Sequence, residues 1–355
     1  MTVSGRVAAF CERYGLGAPI LQAPMAGACP PELAVVVAEA GGMGAAGAVL
    51  DDPPRIADWV RRYREASSRP FQLNLWIPDA PAADDAGEER SRRFLERFGE
   101  PGAPGGPAPA FDEQCEALLE ASPTVISSIM GLFEPPMVER IHAAGIAWFA
   151  CATTLEEALA AEDAGADAVV AQGLEAGGHR GTFDPTAAGS TGVGLVALVP
   201  QLADALTVPV VATGGVADGR GLAAALVLGA SAVQVGTAFL RSPEAGIAES
   251  WSDGLARAAP ETSVLTRAYS GRPGRALPTP FVRAWSGADA PPPARYPVQR
   301  ALVGQWRRGR SGGDGEAGLD PVNQWAGQSA GLARPDSARA ITEEMWRSAR
   351  ELLAM

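Results

Sequence analysis

The sequence of 355 residues contains no lysine, and all 29 of its cationic side chains are arginines. This absence excludes a lysine Schiff base, a lysine-anchored pyridoxal phosphate and the lysine of a P-loop. With 41 acidic residues the net charge is −12, so the chain lacks the positive charge that nucleic acids and anionic membranes attract. We therefore predict a partner that is neither a nucleic acid nor a membrane.

Cysteine and histidine are also scarce. The four cysteines form no CxxC pair, and the two histidines lie far apart in the chain: Cys11, Cys29, Cys115, Cys151, His142 and His179. This spacing is not that of a zinc site, and we predict that no metal is bound. We expect reduced thiols and a cytoplasmic location.

Long apolar runs are absent as well. No uncharged apolar run approaches the ~20 residues of a membrane helix. The first 15 residues lack a long apolar segment, which predicts that they are not a signal peptide.

What the chain does contain is a regular alternation of short apolar segments with longer amphipathic ones. The apolar segments are 19–27, 43–50, 70–78, 124–131, 146–154, 166–181, 208–215 and 231–240. Nearly continuous apolar strands are typical of parallel sheets that are buried on both faces. Eight strand–helix units predict an α/β fold, a (β/α)8 TIM barrel, over residues 1–240.

Two segments do not follow this alternation. Residues 79–110 are polar and then rich in Pro, Gly and Ala, which predicts a mobile excursion on the surface after strand 3. Residues 241–355 are helical and loop-rich, and they are too irregular to predict a second core. We expect this C-terminal segment to pack as a lid over the barrel mouth.

Two glycine-rich loops follow the last two predicted strands, at 212–221 (ATGGVADGRG) and 234–239 (QVGTAF). In TIM barrels this position commonly binds phosphate through backbone N–H groups and a helix N-terminus. We predict Gly214, Gly215, Gly236 and Thr237 as phosphate ligands. The alternative is that the glycines only form tight turns, but two such loops on adjacent strands favour phosphate. From the residues alone, that phosphate belongs to a substrate, a nucleotide or flavin mononucleotide (FMN).

The segment AQGLEAGGHRG, residues 171–181, places His179 among glycines after the sixth predicted strand. Glycine lets the backbone turn freely and lets a flat ligand approach closely. With a pKa near ~6.5, a histidine here is able to accept a substrate proton at neutral pH. The alternative is a structural or solvated histidine, and this is our interpretation of His142 on a helix end.

Several segments together resemble the nitronate monooxygenase family, formerly called 2-nitropropane dioxygenases. They are PILQAPMAG, AQGLEAGGHRG, VVATGGVADGRG, VQVGTAF, AYSGRPGRA (268–276), YPVQRAL (296–302) and NQWAGQSAGLAR (323–334). The likeness extends from about residue 18 to the end of the chain. It implies an FMN-dependent TIM-barrel enzyme that converts alkyl nitronates or nitroalkanes and O2 to a carbonyl compound and nitrite.

The resemblance also implies roles for individual residues. His179 is the catalytic histidine. The residues that contact the flavin ring, the ribityl chain or the phosphate are Ala23, Pro24, Met25, Asn74, Gln172, Gly177, Gly178, Gly214, Gly215, Gln234, Val235, Gly236 and Thr237. Tyr296 is assigned to the substrate pocket, whereas Tyr269 and Trp325 either close the pocket or form the apolar seam of a helical cap. Glu175 is either a partner of the base or a carboxylate that orients the loop.

The sequence leaves several alternatives open. An FMN-dependent enoyl-thioester reductase or an NAD(P)H:quinone reductase shares the same barrel motifs, and a phosphate-binding barrel without flavin is a third reading. The family usually has Asn a few residues after SGRPxR, where this chain has Thr279 nearby, which predicts an altered substrate side. The physiological substrate, the use of NAD(P)H and the oligomeric state are not determined, although a homodimer is compatible with the sequence.

Overall fold

The computed structural model describes residues 1–79, 85–310, 319–320 and 322–354. The described strands are β1 (Ile20–Gln22), β2 (Gly44–Gly47), β3 (Phe71–Trp76), β4 (Val125–Ile129), β5 (Ala147–Ala152), β6 (Ala168–Gln172), β7 (Gly178–His179), β8 (Val210–Thr213), β9 (Ala232–Val235), β10 (Val264–Thr266) and β11 (Gly274–Ala276). The described helices are α1 (Val3–Tyr14), α2 (Pro31–Glu39), α3 (Pro53–Ala66), α4 (Asp85–Glu96), α5 (Phe111–Ala121), α6 (Pro135–Ala143), α7 (Leu155–Asp163), α8 (Leu195–Ala205), α9 (Gly219–Val227), α10 (Glu249–Ala256), α11 (Pro280–Trp285), α12 (Val298–Arg308) and α13 (Ala338–Leu353).

Eight of these strands form a parallel barrel. The strand order is β1–β9–β8–β6–β5–β4–β3–β2, and a parallel bridge between Leu21 and Met43 joins β1 to β2. All eight predicted strands are present, and the predicted TIM barrel is confirmed. The strands consist almost entirely of buried residues, as the apolar segments predicted.

Aromatic side chains fill the end of the barrel at which the strands begin. Phe10 and Tyr14 of α1, a helix that the sequence analysis did not predict, pack with Phe149 of β5. The Tyr14 and Phe149 rings meet edge to face at 5.0 Å. At the other end, β1, β6 and β8 finish with the polar residues Gln22, Gln172 and Thr213.

A second apolar core lies outside the barrel and changes our interpretation of residues 79–110. Part of this segment is α4, whose Phe94 and Leu95 pack with residues of α11 and α12, including Trp285 and Trp306. Residues 80–84 lie outside the described residues. The excursion is therefore not irregular throughout, because an amphipathic helix within it buries one face against the C-terminal segment.

Helix α13 also differs from expectation. We predicted that residues 241–355 pack over the barrel mouth, but α13 packs against the barrel helices α9 and α2. Its residues Ile341, Met345 and Ala349 belong to the core between the strands and the outer helices. The helix thus follows β9 as the outer helix of the eighth unit, and the lid consists of what lies between them. The proposed domain division at residue 240 stays a prediction.

Within the part of the chain that the structure describes, no helix has the length and apolar character needed to cross a membrane.

Candidate active site

The strands end at a cavity of about 1870 Å³. Its volume exceeds the ~300–1,000 Å³ of most small-molecule sites, so it has room for a cofactor together with a substrate. All but one of the predicted site residues line it: Ala23, Pro24, Met25, Asn74, Gln172, Gly177, Gly178, His179, Gly214, Gly215, Gln234, Gly236, Thr237 and Tyr296.

Val235 is the exception. Its side chain is 1% exposed and belongs to the core between the barrel and its helices. Side chains alternate across a strand, so Gln234 and Val235 face opposite sides of β9. Only the backbone of Val235 is near the predicted site, where its carbonyl oxygen accepts a hydrogen bond from Ala23 N at 2.8 Å.

His179 lies in the short strand β7. This strand pairs antiparallel with β11 of the lid, in a three-stranded sheet of order β10–β11–β7. The imidazole contacts two indole rings, those of Trp76 and Trp325, each with its centroid 4.6 Å away. Its Nε2 lies 2.7 Å from Ser270 Oγ. The ring therefore has aromatic neighbours and one hydroxyl partner, and it lines the cavity.

This environment changes the acidity of the histidine. Burial, followed by the nearby Arg272 and Arg300 guanidinium groups, lowers the pKa of His179 to about 3. The sequence analysis assumed the ordinary value, so that assumption is corrected here. A partly buried imidazole beside two cations resists gaining a proton, so we expect His179 to be neutral at physiological pH.

An ion pair supports the Ser270 side of the site. Arg272 is 1% exposed, and its guanidinium binds both carboxylate oxygens of Asp79, with Nε to Oδ2 at 2.9 Å. It also donates to Thr182 O at 3.2 Å. One buried side chain thus joins the segment after β3, the segment after β7 and the motif that contains Ser270.

The amide of Gln172 holds the backbone around His179. Its Nε2 donates to His179 O at 3.0 Å, and its Oε1 accepts from Gly181 N at 2.8 Å. Oε1 also accepts from Arg180 Nη1 at 3.2 Å. Gln172 lines the cavity as predicted, but its polar atoms are occupied by the histidine loop, which makes a positioning role the better-supported one.

Glu157 anchors Thr182 and Phe183, which follow the histidine loop. This buried carboxylate accepts hydrogen bonds from Thr153 N and Oγ1, from Thr182 Oγ1 and from Phe183 N, all at 2.7–2.8 Å. A carboxylate with this many donors is satisfied, so it fixes the loop to the end of β5.

The contacts of Glu175 distinguish between its two predicted roles. Both of its carboxylate oxygens accept from Leu195 N, at 2.9 and 3.0 Å, at the N-terminus of α8. An acidic group there satisfies an otherwise unpaired N–H and complements the helix dipole. Among the described residues the carboxylate has no hydrogen bond to His179, so it orients the loop and is not the partner of the base.

The glycine loops after β8 and β9 present free donors. Among the described residues, no hydrogen bond uses the backbone N–H of Gly214, Gly215, Gly236 or Thr237. Gly214 and Gly215 have positive φ angles of 116° and 71°, a conformation that side chains disfavour. Such a cluster of N–H groups suits a phosphate, and the residues present fit the phosphate end of FMN.

The helix that follows β8 does not add to this phosphate site. The side chain of Asp218 accepts from Arg220 N and Gly221 N and thereby caps α9. The predicted contribution of this helix N-terminus is therefore replaced by an internal carboxylate.

Close backbone approach explains one further glycine. A Cβ at Gly177 would lie 2.5 Å from Gly327 N and 3.0 Å from Thr237 Oγ1. The NQWAGQ segment of the lid therefore packs directly onto the loop before His179.

Asn74 also lies at this end of the barrel, where its Nδ2 donates to Ser127 Oγ at 3.0 Å.

Three aromatic residues of the lid line the cavity. Tyr296 lines the cavity as predicted. Tyr269 and Trp325, for which the sequence allowed either the pocket or the apolar seam of a helical cap, line it too. Trp325 contributes to both, because it contacts His179 and also packs with the lid core. Thr279 does not line the cavity; it caps α11 by accepting from Val282 N, and it contacts Tyr269 OH at 3.1 Å.

Four residues of the site were missed from the sequence: Trp76, Ser270, Arg272 and Glu157. Trp76 is the last residue of β3, and its place near the end of the apolar segment 70–78 was the available signal. Ser270 and Arg272 lie inside the quoted AYSGRPGRA motif, but nothing local indicated that they face His179. Among the described residues, no group of three or more His, Cys, Asp or Glu side chains is arranged to hold a metal.

The chain is similar to known proteins along nearly its whole length. The family model described as Nitronate monooxygenase matches residues 11–347. A nitronate monooxygenase of Pseudomonas aeruginosa is 37% identical over 352 residues, which cover 95% of this chain and 98% of the relative. A probable nitronate monooxygenase of Staphylococcus saprophyticus is 34% identical over 342 residues, covering 94% of this chain and 95% of the relative.

Two solved structures are similar as well. Nitroalkane oxidase from Streptomyces ansochromogenes has a TM-score of 0.87 at 34% identity, with 98% of this chain and 99% of that chain covered. FabK from Thermotoga maritima has a TM-score of 0.75 at 28% identity, with coverage of 98% and 97%.

Proposed function

The chain belongs to the nitronate monooxygenase family, and we propose that it uses FMN to oxidise alkyl nitronates, and more slowly nitroalkanes, with O2 to a carbonyl compound and nitrite. The resemblance drawn from the sequence motifs is confirmed, and the chain is an oxidoreductase of this family. The proposal extends to the cofactor and to the residues that would serve it.

One observation carries the proposal. A neutral imidazole and two loops with free backbone N–H groups line the same cavity at the C-terminal end of a TIM barrel. In this fold that end carries the catalytic residues, and the last two loops are the usual phosphate site. A cofactor held there by its phosphate would share the cavity with the histidine.

The residues that would hold FMN follow from this arrangement. Gly214, Gly215, Gly236 and Thr237 would bind the phosphate through their N–H groups, without any cationic side chain. The segment 23–25 and the loop at Gly177 would flank the flavin ring. When bound, FMN would supply the redox chemistry that links oxidation of the nitronate to reduction of oxygen.

The protein contributes position and proton handling. His179 would accept the α-proton of a neutral nitroalkane, while the indoles of Trp76 and Trp325 shield the imidazole from water where they contact it. An imidazole with a lowered pKa holds a proton weakly, so its driving force for this step is small. This favours preformed nitronates, which have already lost that proton, as the faster substrates.

Arg300 is a candidate for binding the negative charge of a nitronate. It lines the cavity and its Nη1 lies 3.1 Å from Tyr296 OH. Among the described residues it forms no salt bridge with a carboxylate. A cation without a carboxylate partner remains able to attract an anionic substrate.

The test combines cofactor content with turnover. We expect the purified protein to be yellow, to release FMN on denaturation, and to form nitrite and consume oxygen faster with propane-2-nitronate than with 2-nitropropane. The similarity to FabK motivates a competing outcome, in which NADH bleaches the flavin without oxygen and an enoyl thioester is then reduced. That result without nitrite formation from either nitro compound would overturn the proposal.

We also propose a cytoplasmic location. The four cysteines are free, and three of them are buried. Free thiols are the usual state in a reducing compartment. Fractionation of cells that produce the protein would test this, since recovery from an oxidising compartment would contradict it.

A further inference from the structure

The hydroxyl of Ser270 sits between the catalytic histidine and the backbone of Arg272. Its Oγ lies 2.7 Å from His179 Nε2, 3.3 Å from Arg272 O and 3.3 Å from Arg272 N. Ser270 is 3% exposed, so these contacts are sheltered from water. A serine hydroxyl has one proton to donate and two lone pairs to accept with, which limits how these contacts are satisfied.

Two assignments of the hydroxyl proton are available. If Oγ donates to His179 Nε2, the imidazole proton is on Nδ1, and the carbonyl oxygen of Arg272 receives no hydrogen bond from the described residues. If instead Oγ donates to Arg272 O, then His179 Nε2–H donates to Oγ, and Arg272 N–H donates to the second lone pair. The second assignment satisfies all three contacts, whereas the first leaves a buried carbonyl unpaired, which is unfavourable.

We propose that Ser270 is a positioning residue that holds His179 as the Nε2–H tautomer, so that Nδ1 is the nitrogen that accepts the substrate proton. Among the described residues Nδ1 has no hydrogen-bond partner, which leaves its lone pair available in the cavity. The part of this inference that concerns substrate rests on the proposed function, whereas the tautomer itself does not.

The surroundings keep the ring in one orientation. The indoles of Trp76 and Trp325 both contact it, each with its centroid 4.6 Å away, and among the described residues neither ring nitrogen bonds to a carboxylate. The nearby charges are Arg272, which is neutralised by Asp79, and Arg300. Both cations disfavour a doubly protonated imidazole, so the choice is between the two neutral tautomers. A flip of the ring would break the contact with Ser270.

The first test reads the tautomer directly. The chain has only two histidines, so labelling with ¹⁵N-histidine gives two ring systems in the NMR spectrum of the holoenzyme. A His142→Asn variant assigns them. For His179 we expect a protonated Nε2 and an unprotonated Nδ1 at pH 7. A proton on Nδ1 would overturn the proposal, and so would an equal mixture of tautomers.

The second test uses substitution. Ser270→Ala should give a mixture of His179 tautomers and lower kcat with neutral nitroalkanes by about 10–100-fold, by analogy with the loss of a partner that orients a metal-bound histidine. With preformed nitronates the loss should be smaller, because no α-proton is transferred. Ser270→Thr keeps the hydroxyl and should restore the Nε2–H signal and most of the activity.

Matched controls separate positioning from folding. Ser242 is also 3% exposed, and its hydroxyl donates to Phe239 O at 2.7 Å, away from the histidine. Ser242→Ala should leave the His179 signal and the ratio of nitroalkane to nitronate activity unchanged. If Ser270→Ala fails to fold, the wild-type spectrum still decides the tautomer. An Nε2–H histidine in a protein that forms no nitrite would defeat the proposed function and leave this inference standing.

Discussion

At the scale of single residues, the site depends on how His179 is enclosed. Two indoles, one hydroxyl and two guanidinium groups surround an imidazole that the sequence places only among glycines. These neighbours, and not the histidine by itself, decide that the ring is neutral and which nitrogen is available. The same enclosure has consequences for catalysis and for stability.

The His179→Asn variant should distinguish the two kinds of substrate. Asparagine keeps a hydrogen-bonding side chain but has no basic nitrogen, so kcat/KM with neutral nitroalkanes should fall by about 10²–10⁴-fold. Turnover of preformed nitronates should fall much less, and FMN content should be retained. Equal losses with both substrates would show that His179 binds the nitro group or shapes the loop.

His179 should also make the folded state sensitive to acid. Its pKa is about 3 when folded and near ~6.5 in an unfolded chain, so the unfolded state binds more protons between these values. Stability is therefore lost as the pH falls from about 6.5 toward 3, by up to ~1.4 kcal/mol per pH unit. Urea denaturation of wild type and His179→Asn at pH 7, 6, 5 and 4 measures this. The variant should lose less stability over this range, and parallel curves would contradict the prediction.

At the scale of elements, the phosphate site that we propose belongs to loops and not to a helix. The loops after β8 and β9 leave their N–H groups free, whereas the N-terminus of α9 is capped by Asp218. Backbone donors hold an anion without any lysine, which fits a chain that has none. The conformation of Gly214 and Gly215 makes this surface sensitive to any added side chain.

Gly215→Asp should abolish FMN binding. The carboxylate repels a phosphate, and φ of 71° is strained for any side chain; the new Cβ would also lie 3.3 Å from Glu175 Cβ. Gly246 is a matched control, since its φ is 60° and a Cβ there would meet no atom within 4 Å. Gly246→Asp should keep the wild-type flavin content. Stoichiometric FMN in purified Gly215→Asp would place the phosphate elsewhere.

At the scale of the whole molecule, the lid is inserted between the last strand and the last helix of the barrel. The chain leaves the barrel after β9, builds the lid around an apolar core that it shares with α4, and returns as α13 onto α9 and α2. The lid is thus tethered to the barrel at both of its ends. This arrangement places Trp325 and Ser270 at the barrel mouth, where both contact His179.

The stability of the barrel should depend on α13. Ile341 is 4% exposed within the main core, whereas Leu352 of the same helix is 59% exposed. Ile341→Ala should lower the free energy of unfolding by about 2–5 kcal/mol, and Leu352→Ala should change it by less than about 0.5 kcal/mol. Urea denaturation followed by circular dichroism measures both values. Equal, small effects would show that α13 is not part of the barrel core.

The sequence by itself determined the barrel, its eight strands and the two glycine loops that end the last two. These features are local, because a buried strand needs a continuous apolar run and a tight loop needs glycine. It also determined His179 as the candidate base, from its glycine context and from the family resemblance. The tertiary structure decided what depends on distant residues: Ser270 lies 91 positions from His179, and Trp325 is farther still. It likewise decided the role of Glu175, the outward side chain of Val235, the helix within the excursion and the return of α13. Contacts between residues so far apart leave no periodic pattern in the chain, so the sequence does not predict them. The lowered pKa of His179 results from such contacts, and it too could be predicted only from the fold.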